Sequence, residues 1–216
     1  MTSRIALAAV TLCACVLLPV PSHAFDEYVG KERIGARAGG AITSDGFSDA
    51  YGNGWDFTLY FNERITHHFL VDLRLGALSM GELQLKSLDN GIVLPSGTVE
   101  MRILSLTIGP SVGTAIGGGF SVDASAGAGV YSVSMVFNGG INNQLTGYDT
   151  SQQKFGFNGG VGLSRRLSTN WSIEANSSAH YFLIDKNTND IYFAFTNGAD
   201  APLILTASLG AVIDLR

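Results

Sequence analysis

The sequence predicts an all-β protein, an eight-stranded antiparallel up-and-down transmembrane β-barrel preceded by a cleaved signal peptide. Three observations predict it. Apolar and polar residues alternate with period two in eight separate segments, no stretch after Ala24 holds eighteen consecutive apolar residues, and the connections between the segments alternate short and long. A chain of 216 residues with 46% hydrophobic and only 14% charged residues suits one folded domain and excludes a disordered chain.

The first element is the leader. Arg4 precedes an apolar run from Ile5 to Val20, then Pro21 and the small-x-small ending Ser22-His23-Ala24, the layout of a secretory signal. Sixteen apolar residues fall short of the roughly 20 that cross about 30 Å of hydrocarbon as a helix. Cleavage after Ala24 divides the chain into a signal peptide, 1–24, and a barrel, 25–216. Cys13 and Cys15 both lie in the leader, so the mature chain has no disulfide to stabilise it. Loss of Arg4 from the 13 Lys and Arg residues leaves 12 against 18 acidic residues, a net charge of −6, which argues against nucleic acid as a partner.

The strands follow in order. Successive side chains of a strand point to opposite faces. Arg33 to Ala41 sets Ile34, Ala36 and Ala38 against Arg33, Gly35, Arg37 and Gly39. Trp55 to Asn62 sets Trp55, Phe57, Leu59 and Phe61 against Asp56, Thr58, Tyr60 and Asn62, and Phe69 to Ala77 sets Leu73 and Leu75 against Asp72 and Arg74. The fourth strand, Val99 to Pro110, breaks step. A β-bulge near Ile103-Leu104 would keep Glu100, Arg102, Ser105 and Thr107 on the polar side and Met101 and Ile103 on the apolar one. Phe120 to Tyr131, Lys154 to Arg165, Trp171 to Phe182 and Leu203 to Leu215 resume the alternation, with Asp123, Asn158, Glu174, His180 and Asp214 on their polar faces. Residues 43–54, 79–98, 132–153 and 184–201 read as long polar loops. The links Asn62 to Thr66, Val112 to Gly119 and Leu167 to Asn170 read as short turns, as between the strands of an outer-membrane barrel.

The apolar face should meet lipid and the polar face a narrow lumen. An arginine on the lipid side near the midplane costs roughly 2 to 4 kcal/mol. A one-residue slip of the first or third strand would expose Arg37 or Arg74 in this way, which fixes the register. A charged network of Arg37, Asp56, Asp72, Arg74, Glu100, Arg102, Asp123, Glu174, His180 and Asp214 is therefore expected inside, with Trp55, Phe61, Phe69, Phe120, Trp171 and Tyr181 in girdles at the strand ends.

The stretches Trp55 to Asn62, Ala124 to Tyr131, Phe155 to Glu174 and Ser208 to Leu215 resemble the small eight-stranded outer-membrane β-barrel superfamily, nearest the outer-membrane protein W (OmpW-like) family. The end of the chain is similar to the assembly signal of such proteins, carried by Ser208, Gly210, Ile213 and Leu215, although it finishes Leu215-Arg216 where relatives finish on an aromatic. The resemblance implies a bacterial outer-membrane location, contact with outer-membrane lipids and with the outer-membrane assembly machinery, and no cofactor. It also implies a narrow conduit for small hydrophobic molecules, its upper part lined by Leu70, Leu78, Tyr131, Phe182 and Ile204. A plain filling of the lumen by these side chains explains them equally well.

Two other functional classes stay open. Polar loops carrying Phe137, Tyr148, Tyr192, Phe193 and Phe195 suit a surface scaffold that binds host, phage or matrix components. A lipid-modifying enzyme is the weaker alternative: Glu174, Ser178 and His180 share one face, but positions two apart on a strand lie roughly 6.5 to 7 Å apart at Cα, too far for a serine–histidine hydrogen bond. No enzymatic activity is expected. His67-His68 lacks a third ligand at metal spacing, and Asp185, Asn187, Asn189 and Asp190 lack the glycine and distal glutamate of a calcium loop. Gly117-Gly118-Gly119 precedes a strand rather than a helix, so it offers no phosphate cradle.

Overall fold

A computed structural model describes residues 32–43, 53–66, 68–85, 97–141, 144–183 and 203–215. The expected signal peptide, His67, the stretch from Asp185 to Asp190 and the aromatic residues Tyr192, Phe193 and Phe195 lie outside the described residues. Alternation folds the described chain into strands β1 (Glu32–Thr43), β2 (Gly54–Arg64), β3 (Phe69–Leu85), β4 (Gly97–Gly117), β5 (Phe120–Ile141), β6 (Gln144–Arg166), β7 (Trp171–Phe182) and β8 (Leu203–Asp214). Each pairs antiparallel with the next and β8 pairs with β1, closing a barrel.

Closure pairs each strand on both sides through the barrel, and the register sets the tilt. From Val112 the rung runs through Ala124, Val161, Ser177, Ala207, Gly40, Trp55 and Ser79 and meets β4 again at Arg102, ten residues along the strand. A shear of ten over eight strands inclines them by about 40° to the axis and leaves an interior that side chains fill.

The apolar row is the outer skin. Leu73, Leu75, Leu106, Ile108, Phe157 and Leu209 are exposed, whereas Arg37, Asp56, Asp72, Arg74, Asn158 and Ser208 are buried. Trp171 and Phe69 are exposed at the end that holds the short turns, and Trp55, Tyr181 and Phe155 at the other. Ten residues of β3 separate Phe69 from Ser79, the partner of Trp55. At about 3.4 Å per residue and this tilt, that is an apolar band about 25 Å tall, the height expected of a membrane-spanning barrel.

Three expectations are corrected. The segments 79–98 and 132–153 are not simply loops: β3 continues to Leu85, β4 starts at Gly97, and β5 and β6 run on to Ile141 and back from Gln144, paired as far as Ile141 with Gln144. The link Val112 to Gly119 is mostly strand, since β4 continues to Gly117 and a tight turn through Gly117, Gly118 and Gly119 follows. All three have positive φ (93°, 61° and 78°), a conformation glycine adopts without a Cβ clash.

The third correction concerns the bulge. β4 is regular through Ile103-Leu104, and the shift falls instead in β3, between Met80 and Leu83. Met101 and Ile103 therefore point inward and are fully buried, while Glu100 and Arg102 lie on the outer face, not in the lumen network. The rung rises by the strand tilt from Trp55 through Ser79 to Arg102, so both charges sit above the apolar band. Outward charge there costs only about 0 to 1 kcal/mol, and no bulge is needed to hide it.

Candidate functional site

The interior has two storeys. In the half next to the short turns, parity aims the charged residues of β1, β2, β3, β5 and β7 at one another. Asp72 accepts hydrogen bonds from Arg74 and from Asn62. Tyr60 donates its hydroxyl proton to Glu174, and the Arg37 guanidinium lies 5.4 Å from the centre of the Tyr60 ring. Gly35, the β1 partner of Tyr60, makes this possible, because a Cβ there would lie 2.2 Å from the ring. Arg33 pairs with Asp214 at 2.9 Å and closes the end.

Arg37, Asp72, Arg74, Asp123 and Glu174, all predicted for the lumen network, line one cavity of about 40 Å³ together with Arg33, Arg64 and Leu70. That volume holds a few water molecules and no organic solute. Arg37 Nε and Glu174 Oε1 face this region without a protein hydrogen-bond partner. Asp56 is buried where the two storeys meet, opposite Leu78 of β3, and accepts a hydrogen bond from Thr58 at 3.3 Å. His180 stands apart from the ionic cluster, its Nδ1 3.5 Å from the Tyr131 hydroxyl, which also reaches the Phe157 carbonyl at 3.2 Å.

The upper storey is apolar and packed. Leu78, Met80, Met101, Ile103, Tyr131 and Phe182 are each at most 2% exposed, and Ile204 is fully buried. Tyr131 and Phe182 pack with ring centres 6.0 Å apart, and Gly156 leaves the space for Tyr131, since a Cβ there would lie 2.8 Å from its ring. Of the five residues expected to line a conduit, Leu78, Tyr131, Phe182 and Ile204 are part of this plug. Leu70 is not: it lies at the opposite end, paired with Arg64 and Ser111, on the wall of the ionic cavity.

The suspected catalytic cluster is not assembled. Ser178 donates to Asn176 at 2.6 Å, His180 turns to Tyr131, and Glu174 binds Tyr60. His68 Nδ1 contacts the Gly113 carbonyl at 3.2 Å, and among the described residues no three His, Cys, Asp or Glu side chains are placed to hold a metal ion. In the assembly-signal segment, Ser208 is buried inside, Gly210 packs against the backbone of Ala36, Ile213 lies on the outer parity, and the Leu215 amide donates to the Glu32 carbonyl at 2.7 Å. Sequence reasoning missed the ionic roles of Arg33 and Arg64 and the whole Met80–Met101–Ile103 side of the plug. The inward parity of Arg33 was the available signal for the first; the loop expected over 79–98 concealed Met80, and the misplaced bulge concealed Met101 and Ile103.

On the outer face of β3 and β4 stands a small polar ledge. Arg102 donates to Glu100 at 3.0 and 2.8 Å, and Ser79 donates to the same carboxylate at 2.7 Å. The hydrogen bonds from Arg102, with that from Ser79, hold the Glu100 carboxyl below the usual carboxylate range.

The sequence model of the outer membrane protein β-barrel domain family matches residues 8–198. Among solved structures, the chain is similar to a major outer membrane protein of Thermus thermophilus (17% identity, 87% of this chain and 100% of that one, TM-score 0.58). It is similar also to Neisserial surface protein A (12%, 85% and 97%, 0.54) and to Ail, the attachment invasion locus protein of Yersinia pestis, solved with the heparin analogue sucrose octasulfate (17%, 87% and 100%, 0.52). At these identities the likeness is one of fold. No curated protein sequence matches the chain.

Proposed function

The chain belongs to the outer membrane protein β-barrel domain family and resides in the bacterial outer membrane; from that premise we propose that it is a surface scaffold, a plugged barrel that presents the raised β3–β6 wall to extracellular partners. The observation that carries this reading is the asymmetry of the wall. Among the described residues, β1, β2, β7 and β8 have 12, 11, 12 and 12 residues and reach the upper girdle, whereas β3 to β6 have 17, 21, 22 and 23. A strand needs about 9 to 11 residues to cross the membrane. Beyond the girdle, β4, β5 and β6 continue as paired sheet, Gly97 with Gly139 and Ile141 with Gln144, which stands clear of the membrane.

The scaffold reading is tested by replacing residues 139–146 with Asn-Gly, which joins the Asn138–Gly147 pair by a two-residue turn. Adhesion of bacteria displaying the shortened protein to polysaccharide- and protein-coated plates should fall, with heat-modifiable gel migration retained. Adhesion equal to that of the unaltered protein rejects the reading.

A second reading, the conduit for small hydrophobic molecules implied by the likeness to the W family, has one local feature in its favour. The β4–β5 ladder lacks pairs at Gly109 and Pro110, opposite Ala126 and Gly127, where proline has no amide hydrogen to donate, although the Gly109 backbone stays packed against Ala126 and Gly127. This weakened seam lies below the plug, so conduction would require Tyr131 and Phe182 to move. Uptake of a hydrophobic dye by liposomes carrying the unaltered barrel would favour it over the scaffold.

A further inference from the structure

Beyond Met1 the chain has three methionines, and the fold brings all of them to one place. Met80 on β3 is the register partner of Met101 on β4, and Met101 is the partner of Met135 on β5. They occupy one rung on three neighbouring strands, with no other residue type between them. All three side chains point inward and are buried, at 1%, 0% and 4% exposure. The arrangement depends on the position of the bulge: a shift at Ile103-Leu104 would turn Met101 out toward lipid, whereas the shift beyond Met80 keeps all three on the inner face.

We propose that the thioethers of Met80, Met101 and Met135 form a binding site for one Cu(I) ion. Thioether sulfur is a soft, uncharged donor that selects Cu(I) over the harder divalent ions. Cross-strand partners have Cβ atoms about 4.5 to 5.5 Å apart, so the outer pair is separated by about 10 Å. Methionine's unbranched, three-torsion side chain lets sulfurs from both flanks lean toward a point in front of the central strand. Inward curvature of an eight-stranded wall shortens that span further. The rung begins one residue beyond Ser79, the partner of Trp55, and climbs with the strand tilt, so it sits above the girdle, on the extracellular side of the lipid band. Gap filling alone asks only for a large apolar side chain, and leucine or isoleucine serves it at neighbouring Leu78 and Ile103. Three adjacent thioethers offer a trigonal sulfur set that those residues cannot. The site is separate from the adhesion surface and does not depend on the scaffold reading.

The test uses the mature protein folded in detergent micelles and kept anaerobic, with Cu(I) supplied from a chromogenic chelator. The unaltered protein should withdraw one Cu(I) per barrel, with sulfur as the nearest scatterer in copper X-ray absorption. The triple variant Met80→Leu, Met101→Leu, Met135→Leu should hold copper at least tenfold more weakly, and this near-isovolumetric change costs the fold little. A second readout needs no variant: with ¹³C-methyl methionine, the three methyl resonances should shift together and saturate at one equivalent. No copper uptake, equal uptake by the triple variant, or a shift of fewer than three methyls would overturn the proposal.

Discussion

The two storeys of the lumen fill similar space by opposite means. Near the short turns, Arg33, Arg37, Arg64 and Arg74 face Asp72, Asp123 and Glu174 around a cavity that holds a few water molecules. Near the long strands, Met80, Met101, Ile103, Tyr131, Phe182 and Ile204 close the interior with hydrocarbon, sulfur and aromatic rings. The difference shows that closing a barrel and sealing it are separate problems. Ion pairs set between glycines tolerate residual space and unpaired polar atoms such as Arg37 Nε, whereas an apolar plug seals only when it is fully packed.

The comparison breaks most visibly if the lower storey is deprived of one charge. Asp72→Leu leaves Arg74 buried without its carboxylate and should destabilise the barrel by about 3 to 5 kcal/mol, measured by urea unfolding in micelles. Asp72→Leu with Arg74→Met should recover most of that loss, because removing both charges removes the unpaired one. A single variant as stable as the parent would mean that water already screens the pair and that the lower storey is wet throughout.

In the upper storey the corresponding change is Phe182→Ala, which should cost about 3 kcal/mol through lost burial and the cavity left behind. Partial rescue by a small aromatic solute would show that the cavity is dry. Combined with Tyr131→Ala it should also admit dye into liposomes, whereas Asp72→Leu should not; the reverse result would place the seal in the ionic storey. Smaller still is Gly156→Ala, which drives a Cβ toward the Tyr131 ring and the Tyr181 carbonyl. It should cost about 1 to 3 kcal/mol, as overpacking does, and shift the near-ultraviolet circular dichroism of Tyr131.

Most of this division is legible in the sequence, because a period of two admits only one sensible choice of faces. Arg37, Asp56, Asp72, Arg74, Asp123, Glu174, His180 and Asp214 lie on the inner parity where alternation places them, and Leu73, Phe157 and Leu209 on the outer. Parity says nothing of height. Leu70 and Leu78 read alike, yet one lines the ionic cavity and the other the apolar plug, because eight residues of a tilted strand separate them. Nor does parity locate a bulge. In Val99 to Leu104 both possible faces carry apolar residues, and the assumption that charge belongs inside moved the irregularity from β3 to β4. That assumption holds only within the hydrocarbon band, and Glu100 and Arg102 lie above it.

The same pair supplies the smallest expected effect, since it sits on the rim of the upper storey and touches neither filling. Glu100 is held below the ordinary carboxylate range by the Arg102 and Ser79 hydrogen bonds. A lowered folded-state pKa means that the stabilisation is present above the unfolded value and is lost as pH falls through the folded one. Exposed pairs of this kind are worth about 0.2 to 1 kcal/mol, and 58% of the Arg102 side chain is exposed, so Glu100→Gln should destabilise by well under 1 kcal/mol at pH 7. Parent and variant should converge below the carboxylate range, where the parent's carboxyl is itself protonated, and 1 M salt should narrow the gap at neutral pH. A loss of 2 kcal/mol or more, insensitive to salt, would instead make this ledge a buried part of the wall and extend the sealed upper storey beyond the inner face of the sheet.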